Sequence, residues 1–108
     1  MRLTSKAQYN VVYDKGKAWA SSFIVMKTVP NYLIYSRYGF TLSKRLGKAV
    51  VRNRVRRRLR EIIHSTHVKQ GWDVVFIVRP AAVTADYYRL RQAVDELVRR
   101  AHLLREEI

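Results

Sequence analysis

The stretch that decides the fold is residues 43–60, SKRLGKAVVRNRVRRRLR. Between Lys44 and Arg60 it carries nine basic residues and no carboxylate. Apolar residues recur through it, and just beyond it, with the spacing of one helix face, at Val51, Val55, Leu59, Ile62 and Ile63. The pattern predicts a helix over about residues 48–66 that buries one face and presents the others to negative charge.

The polar side chains of this helix form a basic face. At about 100° per residue, Arg52 and Arg58 lie at the margins of the apolar stripe and Arg54 lies on one flank. The side chains that project away from the stripe are Asn53, Arg56, Arg57 and Arg60. Like charges four residues apart repel by a few tenths of a kcal/mol each, a cost that a polyanionic partner offsets. Because Arg-Asn-Arg offers forked donors for phosphates and an amide for a base edge or sugar, the helix indicates nucleic-acid binding.

The composition is that of a basic globular domain. The chain has 108 residues, of which 48% are apolar, a formal net charge of +14 and no Cys. This is enough for one modest core, so residues 1–108 are expected to form a single domain. The N-terminus lacks the apolar core of a signal peptide, and the longest apolar run, residues 74–78, is too short to cross a membrane. We therefore expect a soluble, cytoplasmic protein that does not bind membranes.

The segment before the basic stretch is predicted to form one helix and two strands. Thr4 or Ser5 begins a helix that runs to about Lys15 and stops at Gly16. Alternation with period two over residues 17–29 predicts a strand, which the Pro-Asn pair at residues 30–31 ends. A second strand is predicted over about residues 33–42, with a bulge or a close approach at Gly39.

The segment after the basic stretch is predicted to add a strand and a helix. Residues 72–78, WDVVFIV, have the continuous apolar character of a central strand, which the following Arg-Pro pair ends. Thr84 is expected to cap a last helix with an apolar stripe at Tyr87, Leu90, Val94, Leu97, Val98, Ala101 and Leu104. The order α–β–β(–β)–α–β–α predicts an α+β fold, or α/β sandwich, with helices packed on one sheet.

The first helix carries two tyrosines on its apolar face. Tyr9, Val12 and Tyr13 have the spacing i, i+3, i+4. In one interpretation both rings belong to the core and their hydroxyl groups lie at its rim. In the other, the rings line a groove in which bases or sugars stack. The residues alone leave both interpretations open.

A self-contained active site is not indicated. Metal-dependent nucleases need clustered carboxylates, whereas the eight acidic residues of this chain are scattered. His64 and His67 lack a third ligand nearby, so favourable placement at a helix C-terminus explains them better than a metal site. No nucleophile–His pairing and no complete phosphate-binding loop is recognised. We expect no catalytic residue and no metal ligand in the protein.

The class of nucleic acid is narrowed by the motifs that are missing. No zinc finger, RNP-type strand motif or KH loop is present, so a module that reads a nucleotide sequence is not indicated. RNA with a fixed shape is the better candidate for the target. A binder of double-stranded DNA is disfavoured because no recognition-helix module is found. A non-enzymatic structural RNA-binding protein of the ribosomal type is the alternative, since it explains the charge equally well, although it does not explain an aromatic groove.

A longer motif appears when the basic helix is taken with the turn before it. Residues 43–61, SKRLGKAVVRNRVRRRLRE, contain a basic turn with Gly followed by A-V-x-R-N-R-x-[KR]-R-x-x-R. The paired tyrosines of the first helix, the run F-I-V-M at residues 23–26 and D-V-V-F-I-V-R-P at residues 73–80 accompany it. In these features, which cover nearly the whole chain, the sequence resembles the bacterial ribonuclease P protein component.

The resemblance implies a function in tRNA maturation. Members of this family are the small subunit of a ribonucleoprotein endoribonuclease that removes the 5′ leader of precursor tRNA. The large RNA subunit holds Mg²⁺ and hydrolyses the phosphodiester, so no cofactor is expected on the protein alone and no protein partner is required. The implied fold has the order αβββαβα, a sheet of about four strands and a left-handed β–α–β crossover.

The resemblance also implies two sets of RNA-binding residues. The catalytic RNA would be contacted by Arg52, Asn53, Arg54, Arg56, Arg57 and Arg60. The cleft for the 5′ leader would be lined by Tyr9, Tyr13, Phe23, Met26, Lys44, Arg45 and Arg79. Relatives often have Phe at the two tyrosine positions, a change that keeps the stacking face. Some relatives have an aromatic residue in the first strand where this chain has Met26.

Overall fold

A computed structural model of the chain describes residues 1–105, and residues 106–108 of the predicted single domain lie outside the described residues. The elements in chain order are α1 (Lys6–Lys15), β1 (Lys17–Ala20), β2 (Ile24–Pro30), β3 (Arg37–Thr41), α2 (Ala49–His64), β4 (Trp72–Val78) and α3 (Tyr87–Arg100). Two short 3₁₀ turns lie at Lys44–Leu46 and Pro80–Val83. The order αβββαβα and the α+β class confirm the prediction.

The four strands form one mixed sheet with the order β1-β2-β4-β3. β1 pairs with β2, and β2 pairs with β4, in antiparallel fashion. β3 lies parallel to β4, and α2 makes the connection between them. The predicted β–α–β unit is therefore present, and the left-handed sense of its crossover stays a prediction from the resemblance.

The two faces of the sheet are covered by different helices. Side chains alternate between the faces of a strand, and β4 contributes Val74, Phe76 and Val78 to a large core that includes the buried residues of α2 and α3. The intervening Val75 belongs to a smaller core with Val12 of α1. The main core thus lies between the sheet and helices α2 and α3, and α1 lies on the other face.

Residues 17–29 form two strands, where one was predicted. β1 ends at Ala20 and β2 begins at Ile24, so the chain turns within residues 21–23. The Ser21 hydroxyl accepts hydrogen bonds from the backbone N–H groups of Phe23 (3.2 Å) and Ile24 (3.1 Å). The turn contains neither Gly nor Pro, and this side-chain bonding explains why the alternating pattern did not reveal it.

The strand predicted over residues 33–42 is shorter in the structure, where β3 spans Arg37–Thr41. Two side chains hold residues 31–36 in a loop by replacing ladder hydrogen bonds. Asn31 accepts from the N–H of Leu33 (2.8 Å) and donates to the carbonyl of Tyr35 (3.2 Å). The Ser36 hydroxyl donates to the carbonyl of Lys69 at 2.6 Å.

The start and end of α3 also differ from the prediction. Asp86 caps the helix by accepting from the N–H of Arg89 at 2.8 Å, whereas the Thr84 hydroxyl bonds the carbonyl of Ala81. The predicted stripe is buried at Leu90, Val94, Leu97 and Val98. Tyr87 is exposed, and Leu104 lies beyond the helix, where it pairs with Val68 in an isolated bridge.

A buried ion pair joins β3 to β4. Asp73 is 4% exposed and accepts two hydrogen bonds from Arg37, at 2.8 and 2.7 Å. It also accepts from the Asn31 amide at 2.9 Å. The hydrogen bond from Arg37 to Asp73 raises the pKa of the guanidinium group above its ordinary value.

Replacing Asp73 with alanine is expected to lower the free energy of unfolding by about 2–3 kcal/mol, because Arg37 and Asn31 lose a buried acceptor. The matched control is Asp95→Ala, which breaks the more exposed ion pair between Asp95 and Arg91, whose charged atoms are 3.9 Å apart. This loss is expected to lower the free energy of unfolding by less than about 0.5 kcal/mol. Urea titration of both variants measures the difference. Equal losses for the two variants would contradict the structural role given to Asp73.

Candidate nucleic-acid interface

Helix α2 buries the predicted apolar stripe. Val55, Leu59 and Ile62 are fully buried, Ile63 is 8% exposed, and Val51 is half-buried. The helix ends at His64, and the hydroxyl of Thr66 donates to the carbonyl of Ile62 at 2.6 Å. The packing of this stripe on the sheet fixes the direction in which the basic face points.

The predicted RNA-binding side chains lie on the outer face of α2. Asn53, Arg54, Arg57 and Arg60 are exposed, and Arg52 and Arg56 are half-buried. The Arg56 guanidinium donates to the Asn53 side-chain oxygen at 2.8 Å, which orients both side chains on neighbouring turns. Arg52 donates to the carbonyl of Gly47 at 3.2 Å, so it is directed toward the turn before the helix.

The arginines of α2 have no acidic partner in the part of the chain that the structure describes. The two ion pairs found within residues 1–105 are Arg37–Asp73 and Arg91–Asp95, and neither involves this helix. Arg58 differs from its neighbours, because it donates to the carbonyl of Ala85 at 3.1 Å and so ties α2 to the segment before α3. The positive charge of the outer face is therefore available to a ligand.

The candidate groove is the surface where α1 meets the sheet, around Tyr9 and Tyr13. The rings of Tyr9 and Tyr13 are half-buried, with centroids 6.2 Å apart and an interplanar angle of 42°. The Tyr13 hydroxyl is hydrogen-bonded to the hydroxyl of Thr41, and Lys27 donates to the carbonyl of Tyr13 at 2.9 Å. Both tyrosines pack against the smaller core and keep part of each ring at the surface. The tyrosines can therefore be core residues and also offer part of their rings for stacking, so the two interpretations of the sequence are compatible.

Gly39 allows this arrangement. A Cβ atom at this position would lie 2.5 Å from the hydroxyl oxygen of Tyr9 and 2.6 Å from its ring carbons. The close approach expected at Gly39 is thus made by Tyr9, which lies directly on the backbone of β3. The Tyr9 ring fits here only because residue 39 has no side chain.

Two residues predicted for the leader cleft do not line this groove. Met26 is fully buried in the main core, on the face of the sheet opposite to α1, and its role in leader binding stays a prediction. Phe23 also packs against the main core, and it lies beside Arg89 and Glu96 of α3. The alternating pattern of β2 is apolar on both faces, and for that reason the sequence did not reveal which side chains point toward α1.

The groove instead contains residues that the sequence did not single out. Lys27 alternates with Met26 and therefore lies on the α1 face of the sheet, as do Thr41 of β3 and Ile77 of β4. The face of the sheet on which these three side chains lie can be inferred only when the pairing of β2, β3 and β4 is known. Lys27 adds a cationic side chain at the floor of the groove.

Three predicted cations gather at one end of the sheet. β3 and β4 are parallel, so their carboxyl ends lie side by side, with Thr41 opposite Ile77. The turn after β3 presents Lys44 and Arg45 to solvent and is anchored by the buried Leu46. Arg79 follows β4, is exposed, and donates to the carbonyl of Ser21 at 3.0 Å. Helix α2 begins at the same end.

The described residues contain no group of three or more His, Asp or Glu side chains arranged to hold a metal ion. His64 and His67 are both exposed near the end of α2. Among residues 1–105 there is also no helix long and apolar enough to cross a membrane.

Comparison with known proteins identifies the family. A family model described as "Ribonuclease P" matches residues 1–102. The ribonuclease P protein component of Dehalococcoides mccartyi (strain CBDB1) is 43% identical over 103 residues, which are 95% of this chain and 86% of the relative. That of Caldanaerobacter subterraneus subsp. tengcongensis is 38% identical over 108 residues, which are 98% and 93% of the two chains. The chain belongs to the ribonuclease P protein family.

Solved structures of ribonuclease P proteins have the same fold. The protein from Staphylococcus aureus superposes with a TM-score of 0.87 at 27% identity, covering 96% of this chain and 97% of the other. The protein from Thermotoga maritima gives a TM-score of 0.85 at 26% identity, covering 93% and 96%. The chain is thus the protein subunit of ribonuclease P, the endoribonuclease that processes the 5′ ends of precursor tRNA, and its partner is the ribonuclease P RNA. Family membership decides against the ribosomal alternative.

Proposed function

We propose that this subunit holds the two RNAs of the reaction on separate surfaces. The outer face of α2 binds the ribonuclease P RNA, through Arg52, Asn53, Arg54, Arg56, Arg57 and Arg60. The groove between α1 and the sheet binds the 5′ leader of precursor tRNA, through Tyr9, Tyr13 and Lys27, with Lys44, Arg45 and Arg79 at the end of the sheet.

The observation that carries the first half of this proposal is the uncompensated charge of α2. Arg54, Arg57 and Arg60 are exposed on a helix whose other face is fixed in the core, and no arginine of α2 has an acidic partner within the described residues. Guanidinium groups bind phosphates with forked donors. If six phosphates are neutralised, log K falls against log salt with a slope of roughly −4 to −5, between the coefficients for single strands and duplexes.

The second half rests on the geometry of the groove. Two partly exposed tyrosine rings lie beside a cationic floor, and aromatic stacking of bases tolerates any sequence. A leader differs in sequence from one precursor tRNA to the next, so a binding mode that uses stacking and charge suits it. The two surfaces lie on opposite faces of the sheet, which allows both RNAs to bind together.

The chemistry is assigned to the RNA subunit, with Mg²⁺ bound at its active site. The acidic residues of the protein are few and scattered, and a hard cation needs several oxygen ligands at one point. The protein contributes by placing positive charge next to both phosphate backbones, which strengthens substrate binding. We expect the reaction to take place in the bacterial cytoplasm, where precursor tRNA is made.

The deciding experiment combines the protein with a bacterial ribonuclease P RNA and end-labelled precursor tRNA at low Mg²⁺. We expect cleavage at the mature 5′ end when both subunits are present and no cleavage by the protein alone. Robust cleavage by RNA-free protein would overturn the assignment of chemistry. Tight RNA binding without stimulation of cleavage would overturn the proposed role in the holoenzyme.

The groove is tested by Gly39→Ala. The new methyl group would collide with the far end of the Tyr9 ring, so the ring turns away while the core contacts of α1 remain. Because stacking on an aromatic side chain contributes about 1–3 kcal/mol per base, the holoenzyme is expected to bind precursor tRNA about fivefold to tenfold more weakly.

Binding of mature tRNA, which has no leader, serves as the internal control and is expected to be unchanged. The control variant is Tyr32→Ala, which removes a tyrosine that is 93% exposed and lies in the loop after β2. A loss of affinity that is equal for both substrates would show that the groove does not hold the leader.

A further inference from the structure

A cleft that adjoins the outer face of α2 lies at the C-terminal end of this helix, beside the edge strand β3. Its volume is about 520 Å³, within the range of roughly 300–1,000 Å³ that is typical of small-molecule sites. It opens on the side of the sheet that carries α2. One of its lining residues, Arg60, also belongs to the outer face of α2, so the cleft continues the basic surface of that helix.

The floor of the cleft is apolar and partly aromatic. It is formed by Tyr38 and Phe40 of β3, Ile63 of α2 and Val68 of the following segment. The rings of Tyr38 and Phe40 are half-buried, and Phe40 is stacked on Phe76 with centroids 5.8 Å apart. Burial raises the pKa of the Tyr38 hydroxyl above its ordinary value.

The rim of the cleft is basic. Five exposed side chains surround the floor, namely Arg2, Arg60, His64, His67 and Arg105. Among the residues described, no Asp or Glu lines the cleft. An uncharged aromatic floor inside a cationic rim has the two properties that a nucleotide requires, a surface for the base and donors for the phosphate.

These basic side chains are not needed to cap α2. Basic groups near a helix C-terminus often serve its unpaired carbonyl groups, but here Ser65 and Thr66 already do so. The N–H of Ser65 reaches the carbonyls of Glu61 and Ile62, each at 3.2 Å, and the N–H of Thr66 reaches that of Ile63 at 3.1 Å. The charge on the rim therefore has no partner in the described part of the fold.

The walls of the cleft are held in place by backbone hydrogen bonds. On one side the N–H of Tyr38 donates to the carbonyl of Met1 at 2.9 Å, which fixes the segment carrying Arg2 along β3. On the other side the N–H of Arg105 donates to the carbonyl of His67 at 2.7 Å. A cleft that is formed before binding loses little conformational entropy when a ligand enters.

We propose that this cleft binds one unpaired nucleotide of the ribonuclease P RNA, with its base on Tyr38 and Phe40 and its phosphate at Arg2 and Arg105. This inference rests on the proposed binding of that RNA by α2. A base within a duplex exposes only its edges, whereas an unpaired base offers a face that can stack in such a cleft. The leader is the less suitable occupant, because its groove lies on the opposite face of the sheet.

The first test needs no RNA subunit. Nuclear magnetic resonance spectra of the full chain are recorded during titration with adenosine 5′-monophosphate, with adenosine, and with inorganic phosphate. The nucleotide is expected to shift the backbone signals of Tyr38, His67 and Val68 more than either of its parts. Shifts of the same size with phosphate alone would reduce the cleft to an anion site, and the absence of shifts at these residues would also overturn the proposal.

The contribution of the rim is measured with the double variant Arg2→Gln/Arg105→Gln. Loss of charge-assisted hydrogen bonds is expected to weaken nucleotide binding about tenfold or more. The matched control, Lys17→Gln/Arg89→Gln, removes the same charge from exposed positions outside the cleft. An equal effect of both double variants would mean that net charge and not the cleft binds the nucleotide.

The second test uses the holoenzyme. The chain has no Cys, so His67→Cys provides a unique attachment point for a photo-crosslinking reagent, and Lys17→Cys provides the control. We expect His67→Cys to crosslink to an unpaired nucleotide of the RNA subunit, and crosslinks to the leader or to duplex would overturn the proposal. If the holoenzyme assembles and cleaves but gives no crosslink, the cleft proposal alone fails. If α2 variants bind RNA normally, the proposed function fails. The nucleotide titration then still tests whether the cleft binds a nucleotide.

Discussion

A variant with Arg54, Arg57 and Arg60 replaced by glutamine is expected to bind the ribonuclease P RNA about a thousandfold more weakly at low salt. All three side chains are exposed on α2, and none has an acidic partner among residues 1–105. A hydrogen bond to a charged group contributes about 1.5 kcal/mol or more, which corresponds to about a tenfold loss of affinity for each arginine. Glutamine keeps most of the aliphatic length and the helix propensity, so the fold is preserved.

Filter binding over a range of salt concentrations measures both the affinity and its salt dependence. Removal of three phosphate contacts is expected to make the slope of log K against log salt shallower by about two to three units. The matched control replaces Lys17, Arg89 and Arg99, three exposed cations on β1 and α3, by glutamine. If the control loses affinity to the same extent, binding depends on the total charge of +14 and not on the face of α2.

The variant Phe76→Ala is expected to lower the free energy of unfolding by about 3–5 kcal/mol. Phe76 is fully buried in the middle of β4, where it lies opposite Met26 on one neighbouring strand and Phe40 on the other. Its side chain joins the sheet to the core shared with α2 and α3. The cavity left by alanine would therefore lie under the helix that carries the basic face.

Urea-induced unfolding, followed by circular dichroism, measures this effect. Domains of this size are typically stable by about 5–15 kcal/mol, so the expected loss leaves a much smaller margin for the folded state. The control Tyr32→Ala removes a side chain that is 93% exposed and is expected to change stability by less than about 0.5 kcal/mol. A loss below 1 kcal/mol for Phe76→Ala would mean that this ring is not central to the core.

The sequence allowed the elements with a single dominant pattern to be predicted. The apolar stripe of α2 has no competing period, and four of its five predicted residues are buried. The apolar run of β4 predicted a strand that is buried on both faces, and this strand lies in the middle of the sheet. The basic face of α2 followed from the same helical geometry, because burying the stripe determines where the arginines point.

The remaining features depended on contacts between distant residues. Ser21 and Asn31 form turns through their side chains, and a period-two pattern does not register such bonds. β2 is apolar on both faces, so only its pairing with β4 shows that Met26 enters the core while Lys27 faces α1. The cleft near Tyr38 is assembled from four separate segments of the chain, which no local motif could connect.

The first three residues also affect how the protein behaves in concentrated solution. β3 is an outer strand of the sheet, and its free edge is occupied by residues 1–3, through bonds from Tyr38 to the carbonyl of Met1 and from Leu3 to the carbonyl of Tyr38. An uncovered strand edge is a template for pairing with another molecule. A chain shortened by these residues is therefore expected to self-associate through β3. Light scattering of the shortened and full chains would detect the difference.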